Sequence, residues 1–270
     1  MSQRTLSQGQ PNRNAPSSGS KRPRSIVNQR RTPWGAIVAV AAVIAFAAVV
    51  VVIVAVTGKK SPAAKGEVMP ASVSGAVTSE RAPQRVADTS GIPGVVAWNT
   101  SGWPGDGSTP PGALEHQHVD GPVTYTETPP VGGPHNATWL NAGIYDKPVP
   151  AERAVHDMEH GAVWITYQPS LSPAAVKSLR DFVLTQKELG EETSAGTSSS
   201  RYIVMSPWSS DQLPAAVVIS AWGHQLSVAS TSDARLQRFV DVFRSSKYSP
   251  EQGEAVDGVP TNVGGRPLAK

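Results

Sequence analysis

The sequence predicts an α/β or α+β domain, a mixed sheet with helices packed on it, preceded by a loop-rich segment and by one N-terminal transmembrane helix. Three observations point there. An uncharged apolar run stands near the N-terminus, a stretch dense in Gly and Pro follows, and the second half alternates β-branched runs with amphipathic helical stripes.

Of the 270 residues, about the first quarter does not belong to a globular core. Residues 1–34 hold seven cations (Arg4, Arg13, Lys21, Arg22, Arg24, Arg30 and Arg31) and no acid, among many Ser, Asn, Gln, Gly and Pro. With so little to bury, this segment is expected to be a disordered basic cytoplasmic tail. Residues 35–57 contain the run "GAIVAVAAVIAFAAVVVVIVAV", 22 residues without a charge. At about 1.5 Å per residue it spans the roughly 30 Å hydrocarbon core of a bilayer. A soluble core helix would carry a polar face, and a cleaved signal peptide a shorter apolar region with a small-residue cleavage site, which "TGKKSPAAK" does not offer. The run therefore reads as a transmembrane signal anchor. Seven cations precede it, and only Lys59, Lys60 and Lys65 follow closely. That bias places the N-terminus in the cytoplasm and the C-terminal domain outside, in a single-pass protein of the cell membrane.

Charge and composition exclude several classes. Without the seven cations of the tail, the chain carries 17 basic and 21 acidic residues, net −4, which is unsuited to nucleic acid. No G-x-G-x-x-G, Walker loop or internal repeat occurs, so nucleotide binding has no support. There is no cysteine, which excludes thiolate ligands and thiol catalysis and leaves core packing or metal to stabilise an extracytoplasmic fold.

Residues 58–92 are rich in Pro, Ser, Ala and Gly without a period, as in a flexible stalk, and the globular domain is expected over 93–250 with a frayed tail at 251–270. Pro and Gly spacing up to about residue 142 predicts loops and short strands, the clearest being "PVTYTET". Further on, Pro150 suits the first turn of a short helix over about 151–160, with Gly161 as its stop. "AVWITYQP" reads as a buried strand. Ser172 and Pro173 open a helix with Val176, Leu179, Phe182 and Val183 on one face, and "EETSAGTSSS" reads as a surface loop. "RYIVMSP", "AAVVISAWG" and "HQLSVAS" read as strands. "SDARLQRFVDVFRSS" is an amphipathic helix with Leu236, Phe239, Val240 and Phe243 on one face.

Five of the six histidines fall between positions 116 and 160. In "HDMEH", His156 and His160 project from one helix face, within reach of one cation at about 2.0–2.1 Å. His116 and His118 would share a side if "EHQHVD" is extended, and the turn "VGGPH" can hold His135. His118, His135, His156 and His160 together would fill a coordination sphere, with Glu159 as a carboxylate behind the ligands and His116 as a possible extra one. The H-x-x-E-H spelling also occurs in zinc hydrolases, where the glutamate is general base beside a metal-bound water, so Glu159 is the candidate catalytic residue of that alternative. All-imidazole ligation suits zinc or copper.

The ordered combination of His118-Val119, Tyr125 through His135, Gly143 through Pro148 and His156 through Gly161, with "AWG" further on, resembles the bacterial family known as domain of unknown function 3105 (DUF3105) over about residues 112–250. The resemblance implies a secreted or membrane-anchored protein without an established activity. It supports His118, His135, His156 and His160 as one set and leaves His116 outside it. This chain has Gly132 where the family commonly has serine and Met158 where leucine is common.

Three functional readings follow. The first is a membrane-anchored extracytoplasmic domain holding one zinc or copper ion in a structural, storage or partner-docking role. The second is a metal-dependent hydrolase using Glu159. The third is a metal-free interaction domain in which Trp98, Trp103, Trp139 and Tyr145 line a surface for an extracytoplasmic protein, although such aromatic residues more commonly fill a core.

Overall fold

A computed structural model describes residues 73–102, 108–193 and 196–270. The basic tail, the anchor at 35–57, the stalk up to residue 72 and Trp103 lie outside the described residues. Among those described, no helix is long and apolar enough to cross a membrane.

The fold is α+β. Seven strands form a mixed sheet: β2 (Arg85–Val86), β3 (Val95–Trp98), β5 (Gly143–Ile144), β6 (Val163–Tyr167), β9 (Ile203–Pro207), β10 (Val217–Ala221) and β11 (His224–Val228). Their spatial order is β2-β3-β11-β10-β6-β9-β5. Pairing is antiparallel from β2 to β6 and parallel from β6 through β9 to β5. The central strands β6, β9 and β10 are buried along their whole length, which is why they read as continuous apolar runs.

Alternation along the strands divides the core into two layers. Val163, Ile165, Ile203, Met205, Val217 and Ile219 join one cluster with helices α2 (Pro173–Thr185) and α3 (Arg235–Phe243). Trp164, Val204 and Tyr202 join another, where helix α1 (Ala151–Glu159) contributes Ala154, Val155 and Met158. Helices therefore cover both faces, and the helix carrying the histidine motif lies on the face opposite α2 and α3. Ser172 accepts a hydrogen bond from the Ala175 N–H, the N-cap its sequence position implies. Leu236, Phe239, Val240 and Phe243 are the buried residues of α3, as their spacing predicts.

Four expectations need correction. The stalk segment contains β1 (Thr78–Ser79) and β2, and β2 is an edge of the main sheet. Edge strands of two residues are too short to show a period. "PVTYTET" is strand only over β4 (Val123–Thr124), paired in parallel with β1, because its backbone then turns away to bond side chains such as Glu80. The expected surface loop is an antiparallel hairpin, β7 (Leu189–Thr193) with β8 (Gly196–Ser200), mostly exposed but with Glu191 buried and accepting from the Val256 N–H. The tail is packed rather than frayed. Val256 is fully buried, the Asn141 side chain bonds Val259 and Gly265, and Ala269 pairs with Ile144. This attachment runs through backbone groups, which leave little trace in a sequence. Helix α4 (Thr261–Gly264) lies within it.

Candidate metal centre

Helix α1 presents two faces. Ala154, Val155 and Met158 face the sheet, whereas His156, Glu159 and His160, spaced i, i+3, i+4, share another side. Its N-terminal half is tied to the loop-rich segment. The Glu152 carboxylate accepts from the Val123 N–H, the Glu152 carbonyl accepts from the Asn136 N–H, and Arg153 donates to the Thr138 carbonyl. The same segment brings His118 and His135 side by side in an isolated parallel bridge, with Val119 N–H donating to the His135 carbonyl and His135 N–H to that of Gln117.

Three imidazoles are oriented in one manner. Nδ1 of His135 lies 2.9 Å from the Gly133 carbonyl oxygen, that of His156 2.7 Å from Asn136, and that of His160 2.6 Å from Ala255. A carbonyl oxygen only accepts, so each Nδ1 carries a proton, and in the neutral imidazole Nε2 keeps its lone pair. Those lone pairs meet other acceptors. Nε2 of His156 and His160 are 2.9 Å apart, and His135 Nε2 is 2.9 Å from Glu159 Oε2. His135 and Glu159 are buried, their side chains 0% and 2% exposed, and His135 Nε2 and Glu159 Oε1 have no hydrogen-bond partner.

Burial first, then the charges His160 and His135 can carry, push the His156 imidazole down to about 2, so it is neutral at physiological pH. Burial, with His135 beside it, also lowers His118. A buried array of acceptors facing one another is costly unless a cation sits among them.

Among the described residues, ligand atoms of His118, His135, His156 and Glu159 lie within 4.8 Å of one another, as do those of His156, His160 and Glu251. The structure thus divides the four histidines expected from sequence. Three come together with Glu159, and His160 joins His156 in a second group with Glu251. His116 is in neither group. Glu251 had no signal in the sequence, since it sits in an irregular segment. It is placed by backbone bonds, Glu251 N–H to the Glu159 carbonyl and Gly253 N–H to that of His160, which satisfy carbonyls at the end of α1.

A cleft of about 390 Å³ opens at the site, lined by His118, Trp139, His156, His160 and Glu251 among others, but by neither His135 nor Glu159. Trp139 lies against the His156 and His160 rings, with centroids 5.4 and 5.1 Å away. Trp98 and Tyr145, candidates for a partner surface, are core residues instead, 2% and 1% exposed. Both fill space between the sheet and its loops.

Fold and site define the class: an α+β domain with a largely buried histidine and carboxylate group of the kind that can hold a metal ion. The chain belongs to the family described as Protein of unknown function (DUF3105), whose profile matches residues 116–258, a stretch that includes every member of both ligand groups. No curated protein and no solved structure gives a significant match.

Proposed function

We propose that the domain binds one zinc or copper ion through His118, His135, His156 and Glu159. The single observation that carries this reading is the shared tautomer: three imidazoles donate Nδ1–H to backbone carbonyls, leaving Nε2 of His135 and His156 in a group with a carboxylate. Carbonyl partners that fix the tautomer and orientation of an imidazole are the usual support of a ligating histidine. Glu159 acts here as an anionic ligand that offsets the ion's charge. This reading ranks above hydrolysis because Glu159 lies beneath the cleft and does not line it, where a general base would need to reach a water and a substrate. Imidazole and carboxylate donors suit both ions, with copper the tighter binder where both are supplied.

The role that fits best is structural. The ion ties the loops carrying His118 and His135 to α1 in a fold without disulfides. We further propose, from the apolar run and the charge bias around it, that residues 35–57 anchor the domain on the outer face of the cell membrane.

The test is elemental mass spectrometry of the full-length chain, purified without added metal, beside His135→Ala and His156→Ala. About one equivalent in the wild type, lost in both variants together with melting temperature, is expected. A wild type that stays free of metal after exposure to zinc and to copper overturns the reading.

A further inference from the structure

His156 has one nitrogen to give. Its Nδ1 is engaged by the Asn136 carbonyl, so Nε2 can ligate one ion at a time, yet it belongs to both ligand groups. The inner group is floored by His135 and Glu159, buried and out of reach of the cleft. The outer group is His156, His160 and Glu251, all three lining the cleft, with the Glu251 side chain 37% exposed. His160 is prepared for a cation in the same way as the inner ligands. Nδ1 donates to Ala255, and Nε2 lies 2.9 Å from His156 Nε2 and 3.3 Å from Glu251 Oε2. The cleft is also acidic, since Glu192 and Glu254 line it beside Glu251 while Asp257, also in its lining, is paired with Lys270, and such a lining concentrates cations.

Resting on the proposed inner site, we infer that His156, His160 and Glu251 form a second, transient site that captures a divalent transition-metal ion from the cleft and passes it inward across His156. The ion exchanges His160 and Glu251 for His118, His135 and Glu159 while His156 Nε2 stays bound. No bond other than metal coordination is made or broken, and no electron moves. Two ions are not held at once, because both positions need the same lone pair. His160 and Glu251 accordingly set how fast the ion enters and leaves, while the inner ligands set how tightly it is held.

The test mixes the metal-free full-length chain with Zn²⁺ and follows uptake, then release to a fluorescent chelator, for the wild type, Glu251→Gln and His160→Gln. Glu251→Gln leaves intact the backbone bond from residue 251 to Glu159. Expected is a slowing of both uptake and release by about tenfold or more in each variant, with about one equivalent still bound and affinity within about threefold of wild type. Unchanged rates in variants that bind zinc overturn the inference and leave the inner site standing. A loss of affinity that matches the slower uptake, with release no slower than in the wild type, also overturns it, since the two residues would then be permanent ligands. A wild type that binds no zinc removes the inner-site reading and the inference with it.

Discussion

His135 Nε2 and Glu159 Oε2 lie 2.9 Å apart in the interior, yet the His135 proton is on the far side of the ring, given to the Gly133 carbonyl. With a neutral imidazole these are two acceptors in contact, which raise the energy of the metal-free fold and lower it once a cation is shared. Much of what can be tested follows from that sign.

Glu159→Gln is expected to separate stability from metal affinity. A glutamine amide can donate to His135 Nε2, so the metal-free variant should melt no lower than the metal-free wild type. Loss of the anionic ligand should weaken zinc binding by about tenfold or more. Melting curves in chelator, paired with zinc titrations, check both halves. A metal-free variant several degrees less stable, with unchanged affinity, contradicts the assignment.

The turn before His135 depends on glycine. Gly133 has φ +106°, and a Cβ there would stand 2.5 Å from Glu80 Oε1. Gly133→Ala should therefore cost more than about 1 kcal/mol in urea unfolding and displace the carbonyl that holds His135. Gly190→Ala, where a Cβ meets nothing and φ is ordinary, should stay within about 1 kcal/mol of wild type.

Acid stability has a contributor outside both ligand groups. His224 donates Nδ1–H to the Trp222 carbonyl and packs on Phe243 and Tyr248, and burial holds its pKa below the ordinary 6.5. Above 6.5 it is neutral in both states and adds no pH dependence. As pH falls through 6.5 the unfolded chain takes the proton first, so stability drops until the folded pKa is reached. One such group contributes at most about 1.4 kcal/mol per pH unit. Unfolding measured from pH 7 to 5 in chelator should show a shallower slope for His224→Phe, and equal slopes would remove His224 as a contributor.

The C-terminal segment belongs to the fold. Ending the chain after Pro250 removes fully buried Val256, the Ala255 carbonyl that orients His160, and the acceptors of the Asn141 amide. Burial of Val256 alone is worth about 2 kcal/mol. The melting temperature should fall by at least about 5 °C, and circular dichroism melts of the two chains decide it.

How far the sequence could be read follows from the range of each signal. The α3 stripe of Leu236, Phe239, Val240 and Phe243 and the apolar runs of β6, β9 and β10 were legible, because burial on one helix face or on both sheet faces imposes a period on contiguous residues. His118, His135 and His156 were legible as candidates through clustering, and the resemblance to the family grouped them. The β7–β8 hairpin escaped notice because most of its residues are exposed and its two buried ones, Glu191 and Ser200, are polar, so no apolar alternation marks it.

By itself, then, the sequence determined a mixed sheet with helices packed on it, α/β or α+β, the order of the main helices and strands, the family and all of the candidate ligands but Glu251. The tertiary structure alone decided which of them meet. Glu159 joins His118, His135 and His156, while His160 turns with Glu251 toward a cleft. The physical reason is that the deciding contacts are backbone groups: the carbonyls of Gly133, Asn136 and Ala255 that set each tautomer, and the bond from Glu251 N–H to the Glu159 carbonyl that brings a distant carboxylate to the end of α1. Every residue has a carbonyl and almost every one an N–H, so only the folded chain shows where they point.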